Sequence, residues 1–390
     1  MLPSEFTIRV STAELRDLRT RVRRTRWPDD AVVAPWVSGP DFPFLRGLAE
    51  RWSGPFDWRI HERRLNQLSH FRVEVDGLPL HYVLQPGRGP RPVPLLLIHG
   101  AFSNFFEFHK VLGPLSDPVS FGGDPEDSFD VVLLSLPGFA FSNPVQSAGV
   151  DLVRVADLAH RLMTDVLHYD RYGVGGGSWG GLVASRIAAV HPESLVGLHL
   201  TQASPPARAP GPGEEATPAE RGYSQRLKEY VQSEIGYQKL LSTRPDAVAV
   251  ALNDSPVGLA AWFTDRLRAW TDWEDEPFDR EYTIDDLLIM LSITWFTGSV
   301  AASQRLYFED SQGRTPFLRD LRIEVPTGVL GLPSGMPNET APPEMISRTF
   351  NLIRYRMADR GGHFPALDSP ETLVEELRTF FGLLRNQHQS

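Results

Sequence analysis

The chain has 390 residues, enough to bury a full core as one large domain or two smaller ones. Hydrophobic content of 41% and charged content of 23% are ordinary for a globular protein, and a net charge of −10 argues against nucleic acid or an anionic membrane as a general partner. There is no cysteine, so disulfides, thiolate metal sites and cysteine catalysis are excluded, while the redox compartment stays open.

The N-terminal stretch MLPSEFTIRV has neither a basic n-region nor an apolar h-region, so no signal peptide is expected. Ser11 and Glu14 form a capping box, and Leu15, Leu18 and Val22 share one face of the helix that follows. Its arginines read as a solvated face rather than a nucleic-acid surface. This helix is expected to stop at Trp27-Pro28, leaving an aromatic, proline-rich passage to about residue 70.

Beyond that point strands and helices alternate. FRVEVDG and LPLHYVLQ read as a hairpin turning at Asp76-Gly77. VPLLLIHG is a buried strand ending at Gly100, followed by a helix through FFEFHKVLGPL. DVVLLSLPG, VRVADLAHRLMTDVL, YGVGGG, the helix after Ser178 and LVGLHLTQ continue the series. Such alternation means a mostly parallel sheet with helices on both faces, here expected to have eight strands. A Pro/Gly/Ala-rich linker around 204–222 interrupts it, and about a hundred residues then read as helices. In them LLIMLSITWFTGSVAA from Leu287 is too short and too broken for a membrane span; Leu287 to Trp295 reads as a helix roofing a pocket. Strands return at RIEVPTGVLGL and LIRYRMADRGG, and the amphipathic helix PETLVEELRTFFGLL closes the chain. A helical excursion between two halves of one sheet is a lid. The expected division is 1–70, a helical and meandering N-terminal wrapping segment; 71–203, the first part of the core; 204–318, the helical lid; and 319–390, the second part of the core.

The stretch YGVGGGSWGGLVA fits two glycine devices, G-x-G-x-x-G and G-x-S-x-G. A dinucleotide turn should follow the first strand and be answered by an acid at the end of the next; this one comes late, and LVGLHLTQ ends without a carboxylate. The stretch is therefore read as a nucleophile elbow, with Gly176 and Gly180 supplying the small residues on either side of Ser178. His363, in DRGGHFPALDSP after the last strand, occupies the loop where an α/β-hydrolase carries its base. The backbone N–H groups of Trp179 and of Ala101 or Phe102 would form the oxyanion hole. His99 reads as a structural residue behind that loop.

Many segments resemble epoxide hydrolases of the microsomal type: TRWPD at Thr25, FDWRIHERRLN at Phe56, SLPGFAFS at Ser135, the run from Ser242 to Trp262, SQRLY at Ser303, VPTG at Val325 and RGGHF at Arg360. The resemblance spans nearly the whole chain and implies an α/β-hydrolase fold with a helical lid and an N-terminal wrapping segment. It implies His363 as base and an acid after the seventh strand. Two registers compete for that acid. One leaves Gly335 in its place; the other, favoured by Pro342-Pro343, puts Glu339 there, with Glu344 and Asp359 in reserve. It also implies that Tyr237 and Tyr307 are the lid tyrosines that hold an epoxide oxygen. The chain departs from the pattern at the chemistry. The family's elbow is G-G-D-W-G and its oxyanion loop H-G-x-P, whereas Ser178 and Phe102 stand in this chain.

A carboxylate that opens an epoxide becomes an ester whose carbonyl water can attack; a serine would become an inert ether. Serine suits acyl chemistry, in which the substrate brings the carbonyl. The leading expectation is therefore a serine hydrolase that cleaves an ester, lactone or thioester of a bulky apolar substrate through an acyl-enzyme, with Ser178, His363 and Glu339 as triad. The first alternative is an epoxide hydrolase in which His363 activates water directly. The second is a cofactor-free isomerase or cyclase, or a ligand-binding protein. The expected partner is a small apolar molecule, with no cofactor, metal, nucleic acid or membrane anchor; the chain is expected in the cytoplasm, and a homodimer stays open.

Overall fold

The computed structural model describes residues 2–29, 33–203, 215–271, 283–313, 322–334 and 340–387. Ser4–Glu5 forms a two-residue strand, β1, and Ser11 opens α1 (Thr12–Arg23). The Ser11 hydroxyl accepts from the Glu14 N–H at 3.1 Å, and the Glu14 carboxylate accepts from the Ser11 N–H at 2.7 Å. The helix ends at Arg23, a turn before the expected stop. The aromatic, proline-rich passage up to residue 70 holds α2 (Phe42–Ser53), capped by Asp41, and α3 (Trp58–Leu65), capped by Asp57. In α2, Leu45, Leu48 and Trp52 are buried at helical spacing, and the proline that disguises the pattern, Pro43, lies in the first turn, where its missing N–H costs nothing.

The core begins with β2 (His70–Val75) and β3 (Leu78–Gln85), joined by Asp76 and Gly77 at φ 51° and 75°, the two positive angles of a type I′ turn. There follow β4 (Val93–Ile98), α4 (His109–Ser116), β5 (Phe129–Ser135), α5 (Leu152–Arg161), β6 (Tyr172–Gly176), α6 (Ser178–Val190) and β7 (Leu195–Thr201). The lid contains α7 (Pro218–Ser233), α8 (Gly236–Leu241), α9 (Pro245–Asp254), α10 (Pro256–Trp270), α11 (Ile284–Thr297) and α12 (Val300–Ser311). The chain closes with β8 (Ile323–Gly331), α13 (Pro343–Ser347), β9 (Phe350–Met357), α14 (Pro365–Asp368) and α15 (Pro370–Gln387). The stretch expected as linker turns helical at Pro218, where Thr217 and Glu220 form a capping box. The expected domain edges at 203/204 and 318/319 fall at or within residues outside the described set.

The sheet has nine strands rather than eight, in the order β1-β2-β3-β5-β4-β6-β7-β8-β9. The extra one is β1, paired antiparallel to β2 through Ser4↔Arg72; two residues cannot show the alternation by which a strand is recognised. From β5 to β9 neighbours run parallel, so the C-terminal ends of β4, β6 and β7 share one edge, where open α/β sheets bind ligands. The register Ile98↔Gly176↔Leu200 sets the turns that follow these three strands side by side.

The N-terminal segment is fastened to the lid. Arg21 pairs with Asp254 at 2.7 Å, Arg51 holds both carboxylate oxygens of Asp285, and the Trp52 indole N–H donates to the Ser292 hydroxyl at 3.0 Å. Helix α11 does not roof the catalytic cavity as expected. Every residue from Asp286 to Thr294 is buried, and the Asn104 amide donates to the Met290 carbonyl at 3.3 Å, so this helix is a core element between the N-terminal segment and the sheet. Among the described residues no single helix is long and apolar enough to cross a membrane.

Candidate active site

Ser178 is the first residue of α6 and has φ 51°, the left-handed conformation of a sharp strand-to-helix turn. The elbow fits only because two neighbours lack a Cβ. At Gly180 a Cβ would lie 1.9 Å from the Ile98 carbonyl oxygen, and at Gly100 it would lie 2.5 Å from the Ser178 Cβ. The spacing that marked the motif is thus a packing requirement between β4, β6 and α6.

On the facing loop, the Ala101 N–H points at Ser178 Oγ from 3.4 Å. Trp179 is the second residue of α6, where a backbone N–H has no acceptor within the helix. Phe102 has φ 57° and is buried; its ring packs against Tyr237, Trp262, Phe263 and Trp270 with centroids 5.4 to 6.2 Å away. His99 braces the loop from behind. Its Nε2 accepts from the Leu136 N–H at 3.2 Å, which leaves the proton on Nδ1 to donate to the Gly100 carbonyl at 2.9 Å. Burial pushes its pKa down to about 4, so the ring is neutral at physiological pH.

His363 lies between β9 and α14 and is buried. Its N–H donates to the Trp270 carbonyl at 2.7 Å, and the adjacent Gly362 N–H donates to Asp368 at 2.9 Å, so the loop is anchored to the lid on one side and to α14 on the other. No hydrogen bond joins His363 Nε2 to Ser178 Oγ. Glu339, and Gly335 of the competing register, lie outside the described residues. Neither reserve acid lies in the cavity. Glu344 accepts from the Thr217 hydroxyl at 2.7 Å at the start of α7, and Asp359 is exposed.

Ser178, His363, Tyr237 and Tyr307 line one cavity of about 420 Å³, with Trp179, Leu182, Leu200, Trp270 and Phe350 as apolar walls. The two tyrosine rings meet edge to face with centroids 6.1 Å apart, and Trp179 packs against Tyr307 at 4.7 Å. The Gln238 amide donates to the Tyr237 hydroxyl oxygen at 2.8 Å, and the hydroxyls of Tyr237 and Tyr307 share a hydrogen bond. Burial raises the pKa of Tyr307 well above the ordinary phenol value, so it holds its proton across the physiological range. Tyr307, Asp310 and Ser311 form an i, i+3, i+4 stripe by which α12 faces the cavity.

Sequence reasoning missed three polar residues. Glu107 is buried beneath the oxyanion loop, and its carboxyl is pushed up to about 7 by burial, partly offset by the Ser103 hydroxyl and by the charge of His363. Asp310 is raised by burial and by its neighbour Asp151. Gln202, directly after β7, lines the cavity. Glu107 and Gln202 are isolated polar letters that only burial marks, whereas Asp310 lies three residues after Tyr307 on the same face of α12.

Residues 3–108 match the model of the epoxide hydrolase N terminus, and residues 93–288 match that of the alpha/beta hydrolase fold. The chain is 33% identical to epoxide hydrolase 1 of Oryctolagus cuniculus over 411 residues, covering 98% of this chain and 89% of the relative. Among solved structures it is similar to the epoxide hydrolase of Aspergillus niger, with a TM-score of 0.85, 28% identity and 98% and 97% of the two chains covered. It is also similar to the juvenile hormone epoxide hydrolase of the silkworm Bombyx mori, with a TM-score of 0.87, 25% identity and 99% and 95% covered. These relatives overturn the leading expectation of a serine ester hydrolase working through an acyl-enzyme. The expectation rested on the chemistry open to a serine hydroxyl at the elbow, and that one residue does not outweigh similarity to epoxide hydrolases along almost the whole chain. By its N-terminal segment, its hydrolase core and its match to relatives along almost its entire length, the chain belongs to the epoxide hydrolase family.

Proposed function

We propose that this protein adds water across an oxirane to give a vicinal diol, and that water itself, not Ser178, attacks the ring. The observation that carries the proposal is the meeting of Tyr237 and Tyr307 over a cavity wall that holds Ser178 and His363. Two phenolic hydroxyls on the wall of one cavity suit a ring oxygen on which negative charge develops as the C–O bond breaks. Ser178 cannot substitute for a carboxylate, since the ether it would form has no carbonyl for water to attack.

In the proposed sequence the oxirane oxygen accepts hydrogen bonds from Tyr237 and Tyr307. A water near Ser178 gives a proton to His363 Nε2 as its oxygen bonds to a ring carbon; the ring C–O bond breaks, and the alkoxide takes a proton from a tyrosine. The imidazolium then returns its proton to the tyrosinate, so the net change is the addition of one water. Glu339 is our proposed carboxylate partner for the imidazole, and Glu107 supplies a second acid within electrostatic reach of it.

The test follows styrene oxide hydrolysis in wild type, Ser178→Ala, Ser178→Asp and His363→Ala. We expect Ser178→Ala to stay within about five-fold of wild type and His363→Ala to lose at least about 100-fold. In a single turnover in ¹⁸O-water, wild type places the label in the diol. Ser178→Asp, which hydrolyses the oxide faster, delivers its own carboxylate oxygen first. Collapse of Ser178→Ala to the level of His363→Ala would sink water attack. Absence of diol from wild type and Ser178→Asp alike would sink the epoxide reading itself.

A further inference from the structure

Gln202 is 9% exposed, lines the catalytic cavity, and neither its Oε1 nor its Nε2 has a hydrogen-bond partner among the described residues. A buried amide with donor and acceptor both open is rare in a native core and calls for an explanation. Its backbone is also strained. The residue adopts φ 61°, a left-handed conformation disfavoured for a side chain of this kind, and is held there by its N–H donating to the Leu330 carbonyl at 2.9 Å. A strained backbone presenting an unsatisfied side chain to a pocket is the pattern of a residue placed for a ligand.

The register locates it. Gly176 pairs with Leu200 in the parallel β6–β7 ladder, and a Cβ on Gly177 would lie 2.4 Å from the Thr201 hydroxyl oxygen, so the chain leaves β7 against the elbow and Gln202 shares the cavity wall with Ser178. From this we infer that Gln202 is a specificity-determining residue that reads a hydroxyl group carried one or two bonds from the reacting ring, so that the preferred substrates are hydroxyl-bearing oxiranes such as 2,3-epoxy alcohols. This rests on the epoxide reading of the site. A hydroxyl both donates and accepts, so it satisfies the amide in either orientation of its oxygen and nitrogen. The apolar arm of the substrate lies against Leu182, Leu200 and Phe350. An oxirane with only alkyl groups would bury the same amide with nothing in return, and the site discriminates by that difference.

Binding is measured with the inert products, so that the test does not depend on turnover. Quenching of tryptophan fluorescence, with Trp179 and Trp270 lining the cavity, compares 1-phenylpropane-1,2,3-triol with 1-phenylpropane-1,2-diol. In wild type the triol binds about ten-fold more tightly, a factor equivalent to about 1.4 kcal/mol. Gln202→Met removes that preference, losing affinity for the triol far more than for the diol. Gln202→Glu keeps an acceptor for the hydroxyl and retains part of the preference, which guards against a general loss of structure. Turnover is read in parallel as the ratio of kcat/KM for 3-phenylglycidol to that for 1-phenylpropylene oxide, expected to fall about ten-fold in Gln202→Met. A wild type that binds triol and diol equally overturns the inference, as does a Gln202→Met that keeps the preference or weakens both ligands alike. If neither oxide turns over while the triol preference follows residue 202, the epoxide reading fails and the hydroxyl subsite stands.

Discussion

Ser178 puts a hydroxyl where the family resemblance leads one to expect a carboxylate, and this bears on the acid–base chemistry around His363. A serine there supplies no fixed anion beside the imidazole, and the Glu107 carboxyl, which feels the charge of His363, is neutral below about pH 7 because burial penalises its charge. The sign of its effect on stability follows. In the unfolded chain Glu107 releases its proton near pH 4.5, in the folded protein near 7; between these values the unfolded state binds fewer protons, so stability falls as pH rises. In Glu107→Gln no proton is released, so its melting temperature declines less than that of wild type between pH 5 and 8, and the variant gains relative stability toward pH 8. Thermal melts followed by circular dichroism at several pH values check this. An offset between the two proteins that stays constant with pH would mean that Glu107 ionises normally.

Among the local elements, the loop after β4 shows how one letter alters a conformation. Phe102 has φ 57°, whereas proline, the residue the family resemblance leads one to expect there, is locked near −65°. Phe102→Pro therefore does not restore an ancestral loop. It forces the backbone out of its present path and removes a ring that packs against four lid aromatics. We expect a loss of at least about 3 kcal/mol in urea unfolding, whereas equal or greater stability would show that the loop relaxes freely. The same scale explains what the sequence did and did not disclose. The elbow and His363 were readable because glycine spacing and chain order are enforced by backbone clashes such as that of Gly180 with Ile98. Helices α2 and α3 were hidden by prolines and aromatics that the fold places harmlessly at first turns or in the core. Helix α11 was recognised as apolar, but apolarity cannot tell a roof from a pillar; its buried hydrogen bonds to Trp52 and Asn104 decide that. Gln202 and Glu107 carried no signal, since their meaning lies in burial beside distant residues.

For the molecule as a whole, the N-terminal segment is a clamp rather than an appendage. Its contacts with the lid combine exposed ion pairs, worth about 0–1 kcal/mol each, with one fully buried anchor, Trp52 on Ser292. Trp52→Ala should cost about 3–5 kcal/mol in urea unfolding and speed amide hydrogen exchange in α11; a change below about 1 kcal/mol with unaltered exchange would show that the segment is dispensable to the lid. The strand order has a further consequence for biosynthesis. The elbow emerges from the ribosome first, the lid tyrosines next, and the imidazole only after the edge strand β9. A chain ending between Ser311 and His363 would therefore carry the elbow and both lid tyrosines without the imidazole that shares their cavity. The imidazole is thus the last of these side chains to be made, and the cavity closes only when its loop docks on the Trp270 carbonyl.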